Sequence, residues 1–155
     1  KDGTSFFVRT KLNNQRIAPT DSNALNNTHI YNPVINLSQS STSVLSLFPD
    51  NYASWTTPPT PRMVIFTGAP INIYLGQSYT EGEEIKSAIR FQENNSRFAL
   101  NTTISSLDTS VTMGSPTILN IGQTTINSRF LNGTINRLTF WKTPLPDNKL
   151  DRITS

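Results

Sequence analysis

The segment "EIKSAIRFQENNSRFALNTTI" (84–104) constrains the fold more than any other part of the chain. Ile85, Ser87, Ile89 and Phe91 alternate with Lys86, Ala88 and Arg90. A period of two is the period at which side chains change face along a β-strand, so this is a strand with one apolar face. "ENNS" supplies turn-forming side chains. "RFALNTTI" (97–104) then returns as the partner strand.

The same texture recurs along the chain. "SFFVRTKL" (5–12), "SVLSLF" (43–48), "RMVIFT" (62–67), "INIYLG" (71–76), "PTILNIG" (116–122) and "GTINRLTFW" (133–141) all read as strands. "GAP" between the third and fourth of these is a hairpin-length connection. Residues 13–43 are polar, with Pro19, Pro33 and many Asn, and read as a long irregular excursion. They hold one weak strand candidate, "THIYNPVINL", which Pro33 demotes to an edge strand or a loop because proline cannot donate to a ladder. About eight or nine short strands separated by turns predict an all-β antiparallel sandwich or barrel. No repeat of fixed period is visible.

The end departs from this pattern. After Trp141, Pro144 and Pro146 bracket Leu145, and Asp147, Leu150 and Ile153 follow at helical spacing. Proline suits the first turn of a helix, and an acidic residue suits its positive end. A short closing helix is expected, with Leu150 and Ile153 on its buried face. Phe140 and Trp141 are expected in the core beneath it.

Length and composition bound the function. At 155 residues the chain is one domain, 1–155, and long enough to bury a core without staples. It has no cysteine, so no disulfide and no thiolate metal site. His29 is the one histidine, and it reads as a surface or loop residue. The net charge of +3 comes from 13 basic and 10 acidic residues, and the basic ones are scattered. Nucleic-acid binding wants them clustered with aromatics, so no nucleic-acid partner is expected. No apolar run approaches membrane-spanning length, and no signal-peptide pattern opens the chain. The first residue is Lys1, which suggests a piece of a longer protein. Asn26, Asn36, Asn94, Asn101 and Asn132 begin Asn-x-Ser/Thr triplets, read here as a by-product of abundant Asn, Ser and Thr.

Three stretches in order, "EIKSAIRFQENNSRFALN", "TILNIGQ" and "NGTINRLTFWKTPLPDNKLDRI", carry a resemblance. The last reads Gly-x-Ile-x-Arg-Leu-x-aromatic-aromatic, then Pro-Leu-x-Asp-x-x-Leu. The pattern resembles the concanavalin A-like (laminin-G/pentraxin-like) lectin/glucanase domain, in the version found in bacteriophage tail fibre and tailspike proteins. It covers the C-terminal half well, and the first half only through "GTSFFVRTKL" and "SVLSLF". The resemblance implies a jelly roll of two antiparallel sheets, one concave, closed by a short helix on the last strand. Many members bind sugars and some hydrolyse them, and the fold does not choose between the two.

A retaining glycosidase needs two carboxylates about 5 Å apart. The glucanase pattern Glu-x-Asp-x-x-Glu is absent. "EGEE", with Glu81, Glu83 and Glu84, reads as a solvated turn, so no catalytic residue is assigned and no enzyme is expected. Asp50 with Asn51, and Glu93 to Ser96, offer oxygens but no recognisable calcium loop, so no metal or other cofactor is expected. Sugar sites pair an aromatic face with polar groups for the hydroxyls. Tyr52 and Trp55 in the Pro-rich loop, and Asn72 and Tyr74 on "INIYLG", are candidates. Tyr79 lies near the same hairpin. Lys86 and Arg90 are expected to point outward on "EIKSAIRFQ". With the two strands as neighbours in one sheet, Tyr52, Trp55, Asn72, Tyr74, Lys86 and Arg90 would form a surface suited to an anionic polysaccharide. For each, a plain structural role competes: Tyr74 is a good strand former and Trp55 a loop anchor.

These readings lead to one expectation. The chain is a non-catalytic receptor-binding module of a phage tail fibre or tailspike, extracellular on the virion. Its partners are host-surface polysaccharide and other virion proteins, and it is a homotrimer through the parent fibre, so that weak sites act together. The alternatives are a structural fibre domain without a glycan ligand, and a module of a bacterial surface adhesin.

Overall fold

The computed structural model describes residues 3–12, 30–32, 34–39, 42–48, 50–52, 62–67, 69–74, 82–112, 114–123, 131 and 133–155. The strands are β1 (Thr4–Leu12), β2 (Ile30–Asn32), β3 (Ile35–Gln39), β4 (Thr42–Phe48), β5 (Asp50–Tyr52), β6 (Arg62–Thr67), β7 (Ala69–Tyr74), β8 (Glu84–Phe91), β9 (Arg97–Leu100), β10 (Thr103–Ile104), β11 (Ile118–Ile121) and β12 (Gly133–Trp141). Helix α1 (Asp147–Thr154) closes the chain. The first sheet runs β10-β9-β8-β1-β12, the second β11-β3-β4-β6-β7, and β2 pairs with β5. The strand pairings are antiparallel throughout. The expected all-β antiparallel sandwich with a short C-terminal helix is the observed fold.

The period-two pattern explains the layers. From β1, Phe6, Val8 and Leu12 point between the sheets, and from β8, Ile85, Ile89 and Phe91 do so. Phe98 and Leu100 of β9 join them, against Val34, Ile35, Leu37 and Leu45 from the second sheet. Each such side chain fully withdrawn from water stabilises the fold by about 1.5–3 kcal/mol. Thr10 and Ser87 also face inward, and their hydroxyls are buried without a hydrogen-bond partner.

The opposite face of the first sheet holds a second, smaller apolar cluster. Phe7, Ala88 and Ala99 stand opposite one another across β1, β8 and β9. The two alanines leave room for α1, whose Leu150 is fully buried there beside the partly buried Ile153, Leu145 and Trp141. Asp147 in the first turn and Arg152 in the last complement the helix dipole. Leu145 N–H donates to the Ser5 hydroxyl at 2.8 Å, tying the helix entrance to β1.

Several expectations change. Phe140 is not beneath the helix: it lies on the inter-sheet side against Phe6, ring centroids 5.0 Å apart, and stays half exposed because β12 is an edge strand. The segment 13–43 is not irregular throughout, since β2, β3 and the start of β4 lie in it. β3 is not an edge strand, as β11 and β4 flank it. Pro33 misleads because it precedes the strand instead of interrupting it. The register of β2 with β5 continues that of β3 with β4: Ile35 faces Leu47 and Asn32 faces Asp50. The break between the two ladders falls at the sequence positions of Pro33 and Pro49, neither of which can donate a backbone hydrogen bond. "RFALNTTI" is not one strand but two. Asn101 (φ 41°) and Thr102 (φ 75°) form a two-residue turn between β9 and β10 with both residues left-handed, the conformation such a hairpin requires. Asn101 also uses its side-chain oxygen to accept from Lys86 N–H at 2.9 Å. His29 lies outside the described residues.

Candidate functional site

The sequence candidates divide between the two sheets. Asn72 and Tyr74 lie on β7, the edge of the second sheet, opposite Val64 and Arg62. Tyr52 ends β5, opposite Ile30, on the two-stranded extension of β3 and β4. Trp55 and Tyr79 lie outside the described residues. Lys86 and Arg90 are on β8, in the middle of the first sheet. The surface expected from neighbouring β7 and β8 therefore does not form, because those strands belong to different sheets.

Arg90 needs a further correction. It is on the outer face of its sheet, as the alternation requires, but α1 covers it and it is only 6% exposed. Its Nε donates to Asn95 O at 2.9 Å and its Nη2 to Asn95 Oδ1 at 2.7 Å. Its Nη1 donates to Asp147 Oδ1 at 2.6 Å and to Leu145 O at 3.3 Å. Asp147 Oδ2 lies 3.6 Å from Arg97 Nη1. With four of its five N–H groups committed to the turn and the helix entrance, and the side chain covered by α1, Arg90 is closed to a ligand. It is a pin that holds the helix to the sheet. Lys86 is half-buried, and its ammonium donates to the Ser155 carbonyl at the other end of α1.

The carboxylates of "EGEE" do not form a catalytic pair among the described residues. Glu83 is exposed. Glu84 accepts from Arg9 Nε at 2.5 Å and from Asn136 Nδ2 at 3.2 Å. The Arg9 hydrogen bond, helped by Asn136, holds Glu84 below its ordinary carboxylate value. A general acid needs the opposite shift. Glu81 lies outside the described residues.

The second sheet holds a cross-strand row that sequence reading missed. Its pairings align one cross-strand row: Asn120 opposite Asn36, Asn36 opposite Ser46, Ser46 opposite Val64, and Val64 opposite Asn72. Tyr74 and Arg62 form the next pair but one along β7 and β6. Ile35 and Leu37 belong to the inter-sheet core, so Asn36 between them and Ser38 after them face away from it. Asn120 Nδ2 donates to Asn36 Oδ1 at 3.3 Å and lies 3.4 Å from the Ser38 hydroxyl. Asn36 Nδ2 reaches Leu45 O at 3.4 Å. Asn36 and Ser38 are buried, and Asn120 is partly exposed. The buried amide of Asn36 is engaged inside the sheet, which fits its triplet being no glycan acceptor. The signal for this row was present: "INLS" and "LNI" (119–121) both alternate apolar with polar.

No family model matches the chain, and no curated protein matches it. Solved structures do. Domain 4 of AbnA, a GH43 extracellular arabinanase from Geobacillus stearothermophilus, in complex with arabinotriose, superposes with a TM-score of 0.70 at 10% identity. The match covers 99% of this chain and 67% of that one. The CBM40 of Ruminococcus gnavus IT-sialidase, bound to alpha2,3 sialyllactose, gives 0.66 at 10% identity, over 99% of this chain and 83% of that one. The native heptameric SAP-like pentraxin of Limulus polyphemus gives 0.64 at 10% identity, over 99% and 70%. At such identities the likeness shows the fold: an antiparallel β-sandwich of the jelly-roll kind.

Proposed function

We propose that this chain is a non-catalytic carbohydrate-binding module. The observation that carries the reading is the placing of Asn72 and Tyr74 on the edge strand β7 and of the partly exposed Asn120 on the opposite edge strand β11, on the sheet that α1 does not cover. Amides and hydroxyls set in a rigid sheet suit the hydroxyls of a sugar, and a tyrosine ring suits its C–H face. The fold supports the reading, since two of its structural neighbours hold arabinotriose and sialyllactose.

In its finer form, the module attaches a phage tail fibre or tailspike to host-surface polysaccharide as part of a homotrimer on the virion. The closing motif "NGTINRLTFWKTPLPDNKLDRI" supports this through its likeness to such fibres. The test is saturable binding of the labelled chain, presented as a trimer, to bacterial cells before and after their surface polysaccharide is stripped. Binding lost on stripping, and weakened by Tyr74→Ala or Asn72→Ala in a folded protein, is the expected result. No binding by folded, trimeric protein overturns the reading.

A second reading, a structural fibre domain, is favoured by one observation. Phe6, Leu37, Pro116, Thr117, Ile118, Leu119 and Phe140 line a cleft of about 200 Å³ at the β11 and β12 edge. Ile118, Leu119 and Phe140 are each more than two-fifths exposed there. Failure of the cell-binding test would move the assignment to protein contacts at this edge.

A further inference from the structure

The outer face of the first sheet is divided by α1. Beneath the helix it is apolar around Phe7, Ala88 and Ala99. Beyond the helix, one cross-strand row consists of cations alone: Arg137 of β12 stands opposite Arg9 of β1, and Arg9 stands opposite Lys86 of β8. Lys11, two residues further along β1, lies on the same face. Arg9, Lys11 and Arg137 are exposed. At ordinary strand spacing, Arg137 and Lys86 anchor a row about 10 Å across.

Like charges directly opposite one another destabilise a sheet. A row of three works against folding, and such local conflicts are where a surface serves a ligand. The compensation inside the chain is slight. Glu84, opposite Lys11, is committed to Arg9 and Asn136. Lys86 is held by the Ser155 carbonyl. Arg137 is ordered with no carboxylate: its Nε donates to the Thr139 hydroxyl at 3.2 Å, and its guanidinium sits 5.8 Å from the centre of the Phe7 ring. Neither Lys11 nor Arg137 has an acidic partner among the described residues.

We propose that Lys11, Arg9, Arg137 and Lys86 form a second binding surface, for the carboxylate or sulfate groups of an anionic polysaccharide. The proposal rests on the carbohydrate-binding reading and adds to it a charge class and a place on the helix side of the sandwich. A polysaccharide is favoured over a single-stranded nucleic acid because bases need open aromatic rings to stack on. Phe7, the ring that Arg137 lies over, is 6% exposed.

The test compares dextran sulfate with neutral dextran, which share a backbone and differ in charge, using the folded chain at low and high salt. Dextran sulfate should bind, with affinity falling steeply as salt rises. The double variant Arg137→Gln, Lys11→Gln should lose about tenfold at low salt and show a shallower salt dependence. Glu84→Gln, which frees Arg9, should gain about fivefold. Unchanged dextran sulfate binding in the double variant overturns the proposal. If polysaccharide-dependent cell binding persists in that case, the carbohydrate-binding reading stands alone; if it is absent as well, both fall. A single-stranded oligonucleotide bound as tightly as dextran sulfate, through the same residues, also overturns the proposal.

Discussion

Arg90 and Arg137 lie on the same face of the same sheet and have opposite fates. Arg90 is 8% exposed in its side chain, spends its donors on Asn95, Leu145 and Asp147, and fixes the helix. Arg137 is exposed, touches one hydroxyl and one ring, and fixes nothing. The alternation places both outward and cannot tell them apart. The difference comes from where α1 lands, and that depends on Leu150 finding the gap left by Ala88 and Ala99. An outward charge becomes structure when a later element covers it, and remains available for binding when none does.

The comparison predicts a graded set of outcomes. The largest effect is expected from Arg90→Ala, which strands the Asn95 and Leu145 carbonyls and leaves Asp147 to Arg97 alone. It should cost about 3 kcal/mol, read as a lower midpoint in urea unfolding. A cost below about 1 kcal/mol would mean that the helix is held by Leu150 alone. Asp147→Asn should cost about 1 kcal/mol, because the aspartate is nearly half exposed and solvent screens its pairing. Hydrogen exchange should show the loss in the amides of α1 and not in β8. The smallest effect is expected from Arg137→Gln, within about 0.5 kcal/mol in the same urea assay. A larger loss would place Arg137 with the structural arginine.

Away from both arginines, acid should act at Glu84. Its folded value is lowered, so its contribution is complete above the ordinary glutamate value and fades as the pH falls through the folded value. The acid limb of the stability profile should therefore shrink in Glu84→Gln. An unchanged limb would show that the Arg9 contact adds nothing in solution.

The strands and the closing helix were legible because their signals are local. Ile85, Ile89 and Phe91 repeat every two residues, and Leu150 follows Pro146 and Asp147 at helical spacing. The sheet to which a strand belongs was not legible. β7 and β8 are successive in the chain, yet β7 pairs with β6 and β8 with β1. That choice is set by contacts across the whole molecule. The same holds for Phe140, which reads as core and stays half exposed because no described strand lies beyond β12. The polar row was hidden by Pro33, which stands in the sequence two residues before β3 begins at Ile35. Trp55 and His29, outside the described residues, are neither placed nor displaced by the structure.

The position of β1 also bears on how the chain reaches this state. Its described partners are β8 and β12, so residues near the beginning of the chain wait for segments made much later. Closing such long loops is entropically costly before any contact repays it, and topologies of this kind fold slowly. A ribosome that has released only the first half of the chain exposes Phe6, Phe7 and Val8 with neither neighbouring strand available. Productive folding of this domain therefore waits until β8 and β12 have been made. Until β12 and α1 emerge, the nascent chain depends on whatever shields its first apolar strand.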